Sequence, residues 1–134
     1  MRPNPPLPLA QAFVVCREIY EDRRTGEHLL IGPFNGIGLN FFPAGFRMSL
    51  YAHLTGGHGI YQLALELRDM DGEAIWQWQW PEPTRYDHPL EPHRVVLHDL
   101  VLPFPRPGRY DLVLRANGED LASHALQVSA QPVQ

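Results

Sequence analysis

The chain contains no lysine; all 11 basic residues among its 134 are arginine. Against 15 acidic residues this leaves a net charge of −4, and the arginines are scattered along the sequence. A nucleic-acid surface needs a basic patch or stripe, so neither the sign nor the spacing of these charges fits one. Arginine does keep planar donors available for carboxylate or phosphate partners. Cysteine is almost as scarce. Cys16 stands alone, which excludes an internal disulfide and any all-cysteine zinc site. Long apolar runs are missing too. The opening Met1-Arg-Pro-Asn-Pro-Pro-Leu-Pro8 holds four prolines and no apolar stretch, unlike a signal peptide or a membrane span. These absences point to a cytoplasmic chain with no nucleic-acid or membrane partner. Helical periodicity is also lacking throughout.

What is present is alternation. Tyr110, Leu112 and Leu114 fall on one side of an extended chain, and Asp111, Val113 and Arg115 on the other. Asn117-Gly118 then turns the chain into Leu121–Val128, the strongest short-range hairpin signal a sequence offers. The same period of two runs through Phe46, Met48, Leu50, Ala52 and Leu54, and through Tyr61, Leu63, Leu65 and Leu67. Ala12–Tyr20, His28–Ile31, Ala74–Trp80 and His93–Leu102 complete the strands, for seven or eight in all. The last of these is apolar on both faces in places, which suggests a central position. Turns are marked at Thr25-Gly26, Thr55–Gly59 and Asp71-Gly72. Residues 34–44 look like a long connection between two sheets, and 81–92 like a proline-broken loop.

Short strands spaced about 8–12 residues apart, with turn signals between them, predict an all-β antiparallel sandwich. Residues 1–10 are expected to form a proline-rich flexible arm, and residues 11–130 a single domain. With 44% hydrophobic residues the chain can bury a core without staples.

Few residues suggest chemistry. Trp76, Trp78 and Trp80 share one face of a strand whose other face is Gln77 and Gln79. Three such rings either fill the inner face of a sandwich or form a platform on which sugars or planar ligands stack. Seven histidines invite a metal reading: His53 and His58 flank a glycine turn, and His88, His93 and His98 fall five apart. No His-x-His pair accompanies them, and an offset of five places His93 and His98 on opposite faces of a strand. Cys16 sits mid-strand, where a thiol is usually inert packing. Ser49, Ser123 and Ser129 lack a nucleophile elbow, and Asp69 and Asp71 belong to a turn. The glycines of Gly32–Gly38 precede no helix, so they cannot cradle a phosphate.

Ala12-Phe-Val-Val-Cys16, the Thr25-Gly26 turn, Leu30-Ile-Gly-Pro-Phe34, Phe42-Pro43 and Phe104-Pro-Arg-Pro-Gly108-Arg-Tyr110 occur in this order. With the closing hairpin through Val128, they resemble a family of short bacterial proteins described only as a domain of unknown function. The resemblance covers nearly all of residues 12–128. It implies a cytoplasmic, immunoglobulin-like β-sandwich and carries over no catalytic residue. The tryptophan triplet and the proline-rich arm lie outside its pattern.

The expected function is therefore non-catalytic: a protein-interaction or scaffolding module, with a protein partner or self-association, and no cofactor or metal. The alternative is a carbohydrate or small-ligand module using Trp76, Trp78 and Trp80. A histidine metalloenzyme built from His53, His58 and one of His88 or His93 ranks last.

Overall fold

In the computed structural model, residues 6–131 are described, and the first five residues of the expected arm lie outside them. The chain forms strands β1 (Leu9–Glu21), β2 (His28–Pro33), β3 (Gly36–Leu39), β4 (Ala44–Thr55), β5 (Gly59–Tyr61) and β6 (Leu63–Arg68). These are followed by β7 (Ala74–Gln79), β8 (Thr84–Tyr86), β9 (His93–Phe104), β10 (Gly108–Ala116) and β11 (Glu119–Ala130). One sheet runs β2-β1-β4-β9, a second β3-β11-β10-β6-β7, and β5 and β8 pair as a separate ribbon. All pairings are antiparallel except that of β3 with β11. The molecule is an all-β sandwich, as the alternation predicted.

Period-two alternation fixes what faces inward. Met48, Leu50, Ala52 and Leu54 of β4 meet Leu63, Leu65 and Leu67 of β6 and Tyr110, Leu112 and Leu114 of β10 in one buried cluster. Asn117 and Gly118 take φ of 51° and 81°, as a two-residue type I′ hairpin requires, and they join β10 to β11.

The sequence reading needs correction in three places. The predicted strand through Tyr61 and Leu67 is broken at Gln62: its start, β5, leaves the sheet to pair with β8. The Gln62 amide accepts a place outside the ladder, donating to Asn117 Oδ1 at 2.8 Å. The two stretches read as connections each contain a short strand, β3 and β8. Pairing with distant β11 and β5 makes them strands, and no local pattern reports that. Finally, β9 is an edge strand, not a central one. Its outward Val96 lies opposite Tyr51, on a face covered from within the chain.

That cover is the β1–β2 hairpin. Val14 lies opposite Tyr51, and His28 lies opposite Glu21, seven residues further along β1. A straight strand would separate them by roughly 23 Å. The His28 and Tyr51 rings are instead 5.5 Å apart, and Arg94 Nη1 donates to the Gly26 carbonyl at 3.2 Å. The hairpin thus folds back over the outer face of the four-stranded sheet. Cys16, Ser49 and Ile19 are buried, although Cys16 and Ser49 face away from the main core.

Candidate functional site

The tryptophan strand β7 lies at the edge of the five-stranded sheet. Trp76 and Trp78 stand opposite Leu67 and Leu65, both fully buried, so the rings are directed inward. Trp80 follows the strand, its amide donating to the Leu63 carbonyl at 3.1 Å. All three rings are half-buried against the core, and Trp78 and Trp80 meet edge to face at 4.6 Å. Gln77 and Gln79 face outward with Gln62, Asn117 and Arg115 along a shallow groove of about 530 Å³.

On that same outer face four charged residues close into a ring. Arg68 Nε donates to Glu66 at 3.0 Å, and its two Nη atoms donate to Asp120 at 2.8 and 3.0 Å. Arg115 Nε donates to Asp120 at 2.9 Å and Nη1 to Glu66 at 3.2 Å, and the Gly118 carbonyl takes up its other Nη. Bidentate arginine–carboxylate geometry makes these bonds strong for a surface. Hydrogen bonds from Arg68, and then from Arg115, hold the Asp120 carboxyl below the usual carboxylate range. Its own bonds to Asp120, and then to Glu66, hold the Arg68 guanidinium above its usual range. Register builds the ring: Glu66 and Arg68 are two apart on β6, while Arg115 and Asp120 are opposed on β10 and β11.

The histidines disperse. His53 is half-buried on β4 between Ala12 and Arg94 and His58 is exposed, while His93 is stacked on Tyr86 at 3.7 Å. Among the described residues no three of His, Cys, Asp and Glu come together in a way that could hold a metal ion. Four side-chain atoms are buried without a hydrogen-bond partner among the described residues: His28 Nδ1, His53 Nε2, Tyr86 Oη and His93 Nε2. His28 belongs to the hairpin contact with Tyr51, and Tyr86 and His93 stack on each other. Sequence reasoning missed Tyr86 because it lies in a stretch dominated by prolines. It missed the charged ring because each member looked like an ordinary outward position on its own strand.

Of the candidate nucleophiles Cys16 and Ser49 are buried, while Ser123 and Ser129 are exposed on β11. Burial pushes the Cys16 thiol up, and Sγ donates to the Glu18 carbonyl at 3.4 Å. Asp69 Oδ1 accepts from the amides of Asp71 and Glu73 at 2.9 and 3.0 Å, fixing the Asp71-Gly72 turn.

The hairpin carries another feature. Tyr20 lies opposite Leu29, and Glu18 opposite Ile31, all on the side away from the sheet. Tyr20, Leu29 and Ile31 are 54%, 60% and 41% exposed. They adjoin β2, whose far edge has no strand against it among the described residues.

Fold and surfaces together define a small two-sheet β-sandwich with a neighbouring row of exposed apolar side chains on a folded-back hairpin. The chain belongs to a family of unknown function, DUF6941, whose model matches residues 11–129. Comparison with curated proteins finds no match. No helix among the described residues is long and apolar enough to cross a membrane.

Proposed function

We propose that this chain is a non-catalytic interaction module that self-associates through the β1–β2 hairpin, edge to edge with a second copy. The observation that carries this is the row of exposed Tyr20, Leu29 and Ile31 beside an unpaired strand. Exposed sheet edges are templates for strand addition, and contiguous apolar side chains beside one mark a partner's position.

A second copy is the occupant that the sequence of β2 fits best. Gly32, at φ 67°, and Pro33, which has no N–H, end the useful edge. Antiparallel pairing about a two-fold axis at Leu30 sets Leu29 against Ile31 of the other chain, twice. The outward face then reads Tyr20–Leu29–Ile31–Glu18 across four strands, apolar at its centre and polar at its rim. Arg17, whose stem lies across Gly32, is brought toward the acidic Glu21 of the other chain. Attraction of opposite charges at the rim favours this register.

The non-catalytic reading is supported by the burial of Cys16 and Ser49 and by the turn-fixing role of Asp69. An immunoglobulin-like arrangement is supported by Tyr110, whose hydroxyl donates to the Arg106 carbonyl at 2.6 Å, four residues upstream, like a tyrosine corner. The resemblance to short bacterial proteins is what supports reading the setting as bacterial and cytoplasmic.

Light scattering across a concentration series tests the proposal. The full chain is expected to move from monomer mass toward twice that mass, and Ile31→Lys to remain at monomer mass while keeping its circular dichroism. A wild type that stays monomeric at every concentration contradicts it.

A further inference from the structure

A sheet edge with unpaired N–H and C=O groups invites another strand, and proteins blunt such edges with charge, proline, bulges or short length. Among the described residues the two main sheets end at β2, β9, β3 and β7. The β2 edge is the one assigned above to a second copy. At β9 the edge is interrupted by a bulge at Asp99, where φ is 55°, and by Pro103. Strand β3 is only four residues long. Nothing of the kind protects β7. Ala74-Ile-Trp-Gln-Trp-Gln-Trp80 holds no charge, no proline and no glycine. Its one irregularity, a register shift opposite Leu67 and Arg68, lies at its start.

The groups left open on β7 can be assigned. The Trp80 amide turns toward β6, donating to the Leu63 carbonyl. Backbone groups alternate in direction along a strand, so Trp78 shares that side. The amides and carbonyls of Gln77 and Gln79 therefore point to the open edge, and both residues are exposed. Trp76, Trp78 and Trp80 stop at half-buried because no further strand covers them.

Charge selects the occupant. Asp71 and Glu73 precede the strand and Glu82 follows it, all exposed. None of the three is in an ion pair among the described residues. A second copy set antiparallel about Gln77 would bring Asp71 and Glu73 of one chain beside Glu82 of the other, at both ends. Like charges so placed disfavour that pairing. We propose that β7 instead takes up, by strand addition, an extended segment of another protein that is basic at both ends. Its main chain bonds to Gln77 and Gln79, its alternate apolar side chains cover the tryptophans, and its end charges meet Glu73 and Glu82. This edge belongs to the other sheet from the hairpin and does not depend on self-association.

The test is titration of the full chain with the end-blocked peptide RTVTVTVTR and its acidic twin ETVTVTVTE, followed by backbone amide and indole resonances. RTVTVTVTR is expected to shift the amides of Gln77 and Gln79 saturably, and equally in the Ile31→Lys chain. ETVTVTVTE is expected to bind at least ~10-fold more weakly. Gln77→Pro removes one outward N–H at an edge position, where proline is tolerated. It is expected to weaken binding about tenfold, the usual worth of one hydrogen bond. Should that chain lose its circular dichroism, the double variant Glu73→Arg/Glu82→Arg decides in its place, by reversing the preference between the two peptides. No saturable shift with RTVTVTVTR would overturn the proposal. So would equal binding of the two peptides, binding that a folded Gln77→Pro chain leaves intact, or a response centred on β2 that Ile31→Lys abolishes.

Discussion

On the outer face of the five-stranded sheet, Glu66, Arg68, Arg115 and Asp120 take up one another's hydrogen bonds in a closed ring. On the hairpin folded over the other sheet, Tyr20, Leu29 and Ile31 stand about half exposed beside an unpaired edge. Both are outer faces of the same sandwich and both are built by cross-strand register. They differ in what they leave unspent. The charged face has little left to offer a partner, because its donors and acceptors are matched internally. The hairpin face offers backbone groups and apolar side chains together, the combination that strand addition uses. A face that satisfies itself contributes to stability, and a face that does not is where association is expected.

That contrast can be broken from either side. The largest effect is expected from Ile31→Lys, which inserts a charge at the centre of the proposed apolar row twice per dimer. Loss of that burial on both chains should raise the dissociation constant at least ~100-fold, at about 1.5–3 kcal/mol per side chain. The stability of the monomer should change by no more than about 0.5 kcal/mol, as for an ordinary surface position. Sedimentation velocity and chemical denaturation, run on the same samples, separate the two.

Glu66→Ala should do the reverse. Its carboxylate is buried and serves Arg68 and Arg115. Removing it leaves two guanidinium groups short of acceptors, for a loss of roughly 1–3 kcal/mol in urea denaturation. Association should be unaffected; a weakened dimer with an unchanged unfolding midpoint would invert the comparison.

A smaller effect is expected from pH. Because Asp120 has a folded pKa below its unfolded value, the stability it supplies is present above the unfolded pKa, near ~3.9, and is lost as pH falls through the folded one. The stability gap between wild type and Asp120→Asn should therefore be widest near neutrality and narrow as the solution is acidified below about pH 4. A gap that stays constant down to the acid transition would mean the ring does not perturb this carboxyl. The smallest effect belongs to Arg94→Met, which removes the single contact of Arg94 with the Gly26 carbonyl. Faster amide exchange at the hairpin tip, with Tm nearly unchanged, is the expected result.

Much of the fold was legible because it rests on local rules. Alternation placed Leu112 and Leu114 in the core, and Asn117-Gly118 formed the turn its φ preferences require. What escaped depends on distant pairing. Nothing near Thr84 announces that β8 will find β5, and nothing in His93–Phe104 distinguishes an edge strand whose outer face is covered from a central one. The fold-back of the first hairpin was equally silent, since residues 17–20 read as a simple continuation of the strand that begins at Ala12. The sequence left Trp76 and Trp78 open between core and platform, and only their register opposite Leu67 and Leu65 shows which way they face. The charged ring was not legible, since it joins three strands, and neither was the burial of Tyr86.

Amide hydrogen exchange of β2 at low and high protein concentration tests the central claim most directly. If the hairpin edges pair, amides within His28–Gly32 that point away from β1 become protected as concentration rises, and lose that protection in Ile31→Lys. Exchange in β2 that is independent of concentration, in a sample that nonetheless dimerises, would place the contact elsewhere and contradict the account.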